Sequence, residues 1–297
     1  MSNNLNNLRF VNFSQLRSFY AVAREGSITK AALLLNIGQP TVTTQVKGLE
    51  DTYNVQLFNR SPRLVSLTPE GEMLYEIARQ VFSLEERAVE LLSSHEAKVT
   101  GKLRIGTVGP HFVMDILARI HRDYPLMQVY IESGNSEQIY GKLLDYEVDV
   151  AVTGSKSTDP RIAQIQLGTH EIVLMVHSDH PWAHRDSVSI NECDGQRLVL
   201  REKGSMTRQV FEQTMDAAGV RANVVMEVAR DTMHEAIRSG FGIGVVSLDE
   251  RGSDPALRYI SFSDVSPSTE SYASCMKERA NVRGVKLFMD IIGELTP

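Results

Sequence analysis

Between Gln39 and Lys47 the chain gathers Gln39, Pro40, Thr41, Thr43, Thr44, Gln45 and Lys47. Amide, hydroxyl and ammonium groups of this kind can bond base edges and phosphates in a major groove. Ser27 and Thr29 add hydroxyls just before this segment, and Arg60 and Arg63 add two guanidinium groups just after it. A second set lies further along the chain. Thr107, Gly109, Pro110, His111, Asn135, Ser136 and Thr153 are followed by Arg201, Gly204, Ser205, Thr207 and Arg230. Hydroxyls, glycines and arginines where strands end and helices begin are suited to holding a small anion, because a helix start presents free N–H groups. Arg208 is a further cation beside this set.

The first set must be carried by helices. Leu16, Phe19, Tyr20 and Ala23 form one apolar face of a helix that Gly26-Ser27 ends. Ser27 is a good cap for a second helix from Ile28 to Leu35, where Ala31, Ala32, Leu34 and Leu35 suit close packing. Asn36-Ile37-Gly38 turns the chain into a third helix, Gln39 to about Tyr53, with Pro40 tolerated in its first turn. Two short helices joined by a tight turn make a helix-turn-helix. Periodicity alone leaves the polar face of the third helix open to two readings, a solvated surface or a DNA contact. Residues 55–71 then read as a hairpin with Arg60 and Arg63 near its tip, a wing placed to meet phosphate or a minor groove.

Charge distribution favours the DNA contact. The whole chain of 297 residues has a net charge of -6, yet residues 1–68 carry +4 and the remainder -10. A basic head on an acidic body suits a polyanion at one end only.

From Thr68-Pro69 a long helix runs to about residue 95. Leu74, Val81 and Ala88 are spaced by seven, as are Ile77, Leu84 and Leu91, which predicts an a/d seam for pairing with a second copy of the chain. The alternative is packing of this helix on its own domain.

Residues 100–297 read as an α/β body. Strands at Lys102–Val108, Met127–Glu132 and Asp149–Thr153 alternate with helices near residues 113–124 and 135–144, which implies a mostly parallel sheet. A second lobe follows Glu171–His177. It holds a strand at Arg197–Arg201, a helix at Thr207–Ala218, a strand at Asn223–Val228 and a helix at Asp231–Arg238. Gly240–Ser247 is expected to return the chain to the first lobe. A ligand is expected between the lobes.

Other chemistries find little support. Gly240-Phe-Gly-Ile-Gly-Val is not the dinucleotide fingerprint and follows a helix rather than a strand. Neither a P-loop nor a Gly-x-Ser-x-Gly elbow occurs. His177, His180 and His184 flank His180-Pro181 and read as a turn rather than a metal site. Cys193 and Cys275 have no companions at ligand spacing and read as reduced thiols. No metal, cofactor or catalytic residue is predicted, and the chain reads as no enzyme. A polar N-terminus and the absence of a long apolar run point to a cytoplasmic protein without membrane contact. A free-standing solute-binding protein explains the body but not the head.

The stretch LRSFYAVAREGSITKAALLLNIGQPTVTTQVKGLEDTYNVQLFNRSPRLVSLTPEG resembles the DNA-binding domain of LysR-type transcriptional regulators along its whole length. The matching features are Gly26-Ser27, Ala31-Ala32, Gln39-Pro40-Thr41-Val42-Thr43, Leu57-Phe58-Asn59-Arg60 and Leu67-Thr68 with Gly71. Gly38 departs from the serine usual there, so no side-chain contact is expected from it. The body resembles the family's effector domain through residues 172–183, LVLREKGSMTRQVFE and IRSGFGIGVVS. The resemblance implies an all-α winged helix-turn-helix over residues 1–68 and a linker and dimerisation helix over 69–95. It implies a two-lobed, periplasmic-binding-protein-like effector and oligomerisation domain over 100–297. The partners it implies are double-stranded DNA, a small-molecule effector, further copies in a dimer or tetramer, and RNA polymerase. Within the family, GTVGPHFVMDILARI, GNSEQIYGKLLDYEVDVAV and LREKGSMTRQVFEQTMDAAGV are most similar to the subgroup associated with 2-aminoethylphosphonate catabolism. That likeness implies a phosphonate effector, with Asp145, Glu202 or Asp231 near its ammonium.

Overall fold

Asn12 starts the first helix by accepting the backbone N–H groups of Ser14 and Gln15 at 3.0 and 3.2 Å. In this computed structural model, which describes residues 10–59, 65–93, 101–221 and 223–295, helix α1 spans Phe13–Glu25 and ends at Gly26 with φ +60°. Helix α2, Ile28–Leu35, is capped by the Ser27 hydroxyl. Asn36 takes the left-handed conformation that turns the chain into α3, Gln39–Tyr53. Small side chains let α1 and α2 meet, with Ala21, Val22, Ala31, Ala32 and Val42 in one buried cluster. Leu34 departs from the expected packing. It is half exposed, and Leu33 is 78% exposed, so the apolar face of α2 is only partly covered.

The wing's stem closes where Phe58 bridges Leu67 in antiparallel fashion and Asn59 donates its N–H to the Ser66 carbonyl at 2.9 Å. Arg60 and Arg63 lie outside the described residues. Helix α4, Pro69–Ser93, begins where the Thr68 hydroxyl accepts the Gly71 N–H. Its inner side joins Leu16, Phe19, Leu49 and Leu57 through Ala78 and Phe82.

The chain divides into two compact units, Met1–His95 and Glu96–Pro297. In the second, β1 (Gly101–Thr107), α5 (Met114–Asp123), β2 (Met127–Ser133), α6 (Ser136–Leu144) and β3 (Val150–Thr153) give the expected βαβαβ run. Strands β2, β1 and β3 are parallel neighbours. The next strand, β4, extends over Ile162–His177, well before the Glu171 start expected from sequence. It passes from one lobe to the other. The second lobe follows with β5 (Ser187–Val188), β6 (Arg197–Arg201), α7 (Met206–Ala218), β7 (Asn223–Val228), α8 (Arg230–Arg238), β8 (Ile243–Ser247) and β9 (Leu257–Phe262).

Strand β8 corrects the expectation that residues 240–247 return to the first lobe. It pairs with Ile172–Met175 of β4 and with β6, inside the second lobe. The return is made by β10, Ser268–Met276, which starts opposite Glu171 and runs between β3 and the first half of β4. The amphipathic helix α9, Arg283–Leu295, then covers the first lobe with Val285, Phe288, Ile291 and Ile292. The main path of the sheet is β2-β1-β3-β10-β4-β8-β6-β7. Two strands, β4 and β10, therefore join the lobes.

Candidate functional site

The exposed face of α3 carries Gln39, Pro40, Thr41, Thr43, Thr44 and Lys47. Thr43 also donates its hydroxyl to the Gln39 carbonyl at 3.0 Å. Gln45 is half-buried, and its Oε1 accepts the hydroxyl of buried Ser18 at 2.5 Å, so it also ties α3 to α1. Ser27 is occupied as the α2 cap, whereas Thr29 beside it is exposed. Glu50 went unread in the sequence. Its carboxylate accepts the N–H groups of Leu57 and Phe58 at 2.7 and 3.3 Å, which anchors the wing to α3.

The predicted seam on α4 divides. Leu74 and Val81 are half-buried against the head's own core, so there the alternative reading holds. Ile77 and Leu84 are 56% and 52% exposed, and Ala88 is exposed too. With Met73 and Leu92 they form an uncovered apolar stripe. The Leu91 side chain lies outside the described residues.

In the body, one cleft occupies about 390 Å³ including its open mouth. First-turn residues of three helices reach it: Ser136 of α6, Met206 and Thr207 of α7, and Arg230 of α8. The cap residues Asn135 and Ser205 line it as well. Arg201 enters from the end of β6. Of the predicted set, then, Asn135, Ser136, Arg201, Ser205, Thr207 and Arg230 come together.

The others stand apart from the lining. Thr107 is buried, and its hydroxyl donates to the Gly109 carbonyl at 2.8 Å. Thr153 spends its hydroxyl on Ser155 at 3.3 Å. Pro110 and His111 belong to a short 3-10 helix, Pro110–Phe112, on the exposed side of Gly109. Partial burial of the His111 ring, together with the Arg230 charge, holds it below the usual histidine range. Gly204 sits at the rim with φ +88°, where a Cβ would come within 2.9 Å of the Asn135 Oδ1 atom. Arg208 is turned away and bonds Glu212, Glu227 and the Arg201 carbonyl. Asp145 and Asp231 are exposed and do not line the cleft.

Sequence reading missed the side of the cleft made by the crossing strands. His170 of β4 and Thr269, Glu270 and Ser271 of β10 line it, with Val108, Phe112, Gly154 and Ser247. His170 bridges these elements: Nδ1 meets the Asp249 carboxylate and Nε2 lies 2.6 Å from the Ser271 hydroxyl. The order serine, histidine, carboxylate is that of a hydrolase triad, but the Ser271 side chain sits on a buried strand and is 1% exposed. Here the network acts as a strut between the two crossing strands and the second lobe.

Each guanidinium of the cleft has a carboxylate behind it. Arg201 pairs with Glu202, and Arg230 with Glu250, both at 2.8 Å. Burial pulls the Arg230 pKa below its ordinary value, against the pull of Glu250. Its Nε is buried without a hydrogen-bond partner. Among the described residues no group of acidic, histidine or cysteine side chains is arranged to hold a metal ion. His177 and His180 accept the N–H groups of Asp179 and Trp182 in a local turn. No described helix is long and apolar enough to cross a membrane.

A helix-turn-helix head followed by a two-lobed body with a ligand cleft defines a ligand-responsive DNA-binding regulator. Two family models match this chain. The bacterial regulatory helix-turn-helix protein of the lysR family covers residues 13–72, and the LysR substrate binding domain covers residues 96–297. The chain belongs to the LysR family of transcriptional regulators. It is similar to the HTH-type transcriptional regulator CysL of Bacillus subtilis, 29% identical over 253 residues, 84% of this chain and 85% of that protein. It is 30% identical over 241 residues to the RuBisCO operon transcriptional regulator of Allochromatium vinosum, covering 80% of each. In fold it is similar to full-length OxyR from Pseudomonas aeruginosa, with a TM-score of 0.77, 23% identity, and 96% and 95% of the two chains covered. It is likewise similar to full-length CbnR complexed with its target DNA, with a TM-score of 0.65, 20% identity, and 96% and 99% covered. The names of these relatives mention no phosphonate.

Proposed function

We propose that this regulator responds to a small anionic effector bound in the cleft between its lobes, and that the effector is 2-aminoethylphosphonate or a related phosphonate. One observation carries the anionic part: first-turn residues of three helices and two guanidinium groups line one small cleft. Free N–H groups at helix starts and aligned dipoles favour negative charge there. The phosphonate part rests on the likeness of residues 106–120, 134–152 and 200–220 to the phosphonate subgroup.

In this reading Gln39, Thr41, Thr43 and Thr44 face the major groove, with Thr29, Lys47, Arg60 and Arg63 on the phosphates. Two copies pair through Ile77, Leu84 and Ala88 of α4, and bodies join dimers into a tetramer. Ligand favours one arrangement of the lobes, and the altered spacing of the heads changes DNA bending and contact with RNA polymerase. Such a shift requires that ligand bind one arrangement better than the other.

Calorimetric titration with 2-aminoethylphosphonate, with phosphate, sulfate and acetate as controls, tests the effector. Saturable binding selective for the phosphonate is expected. Selective binding of acetate or sulfate would replace the phosphonate by a carboxylate or sulfur-compound effector and leave the anion cleft standing.

A further inference from the structure

The hydroxyl groups of the cleft differ in what they can offer a ligand. Ser136, Ser205 and Ser247 each accept a backbone N–H, from Gly154, Arg208 and Asp249 at 3.0, 3.5 and 3.3 Å, so their own protons remain to be donated. With Arg201, Arg230 and the helix starts they make that part of the lining a set of donors. Ser271 is different. Its hydroxyl lies 2.6 Å from Nε2 of His170, whose Nδ1 meets the Asp249 carboxylate. An ionised carboxylate accepts only, so the proton of a neutral ring sits on Nδ1 and Nε2 is left as an acceptor. Ser271 must then give its proton to Nε2 and turn its lone pairs to the cleft.

A second proton on the ring reverses this bond. Nε2–H donates to the Ser271 oxygen, and the Ser271 hydroxyl is free to point its proton at a ligand. The ring also gains a positive charge, with Asp249 behind it as Glu202 stands behind Arg201 and Glu250 behind Arg230. An anion in the cleft favours that charge in turn. The cations that oppose it, Arg201 and Arg230, each have their own carboxylate. His111 lies on the far side of Phe112, whose ring is edge-on to His170 at 4.8 Å between centroids. Glu171 and Glu270 stand one position along from His170 and from its cross-strand partner Thr269, on the opposite face of the strands. We infer that the anionic effector binds together with one proton, taken from solvent by Nε2 of His170, which turns Ser271 from an acceptor into a donor toward the ligand. The inference rests on the cleft being the effector site, and it brings the crossing strands into anion recognition.

The test is calorimetric titration of the full-length protein with 2-aminoethylphosphonate, ethylphosphonate, sulfate and acetate at about pH 7, in buffers of different ionisation enthalpy. The dependence of the heat on the buffer counts the protons taken up, and the ligand's own ionisation drops out of the difference between wild type and variant. Wild type should take up between about half a proton and one proton more than His170→Gln, whose amide donates to Ser271 without titrating. The bound state holds the extra proton, so wild-type affinity should weaken as pH rises through the histidine range, by at most about tenfold per pH unit, and the variant's should weaken less. Thermal midpoints check that His170→Gln folds. Asp249→Asn, at an exposed position, removes the carboxylate that supports the charged ring and should reduce the uptake as well. His111→Gln should keep it. Equal uptake by wild type and His170→Gln would overturn the inference and leave the anion cleft standing. Uptake lost in His111→Gln instead would overturn the role of His170. Silence from all four ligands would overturn both this inference and the anionic-effector reading beneath it.

Discussion

At the scale of single residues, burial decides what the cysteines can do. Cys193 lies in the core of the second lobe and Cys275 in that of the first, both free and inaccessible. Desolvation pushes their thiols up to about 12 and about 11. The thiolate is the reactive form, so neither should react readily with iodoacetamide at neutral pH until the protein unfolds. Labelling followed by mass spectrometry checks this, and rapid labelling of native protein would contradict it. The same shifts carry a pH dependence. An unfolded thiol ionises near 9 while the folded ones still hold their protons, so the native state binds more protons above that pH and loses stability as pH rises from about 9 towards 12. On the head, the proposed DNA contact of exposed Lys47 is with phosphate. Lys47→Ala should weaken binding across sequences and reduce the slope of log affinity against log salt by about one. Salt titrations of wild type and variant with equal slopes would remove that contact.

At the scale of elements, the wing depends on two residues behind it. Glu50 holds the N–H groups of Leu57 and Phe58, so Glu50→Ala leaves two backbone donors without their acceptor and should cost about 1–3 kcal/mol. Gly71 is there because nothing larger fits: a Cβ would fall 2.1 Å from the Leu57 carbonyl oxygen. Gly71→Ala forces α4 and the wing apart and should cost a similar amount, about 1–3 kcal/mol. Thermal or denaturant unfolding of the variants measures both. These cases also show what a sequence conveys. Helices α1 to α3 were legible because caps, turns and apolar spacing agree at Asn36, Ser27 and Leu16. The α4 seam was half legible: a spacing of seven identifies apolar positions but not which neighbour covers them, and the head's core took Leu74 and Val81. Strand β10 was not legible. Buried on both faces from Ser271 onward, it is built largely from Ser, Thr, Ala and Cys, whose polarity hides a central strand from any hydropathy pattern. With β10 went Glu270 and Ser271, and so the crossing-strand side of the cleft. Helix starts announce themselves through Asn135 and Ser205, which is why the opposite side was found.

At the scale of the whole molecule, the body is two cores joined by β4 and β10, a geometry that allows the lobes to close on a ligand. The lobes already touch at the rim of the cleft. The Asn135 side chain of the first lobe donates to the Lys203 carbonyl of the second at 3.2 Å, directly beside Gly204. At φ +88° only glycine is unstrained there, and an added Cβ would press to 2.9 Å from the Asn135 Oδ1 atom. Gly204→Ala should therefore strain the closed arrangement while leaving each lobe's core untouched. An open arrangement costs the ligand part of its binding energy, because closure must then be driven by binding. The expected result is about tenfold weaker effector binding, read by calorimetry with whichever ligand the wild type binds. The variant should still bind operator DNA, because the head that contacts it is a separate compact unit. Asn135→Ala removes the same contact without adding bulk, so it should weaken binding less. An alanine at 204 that binds effector as wild type does would show that closure at this rim is not what the ligand uses. Loss of operator binding along with effector binding would instead mean that the substitution acts on the fold as a whole.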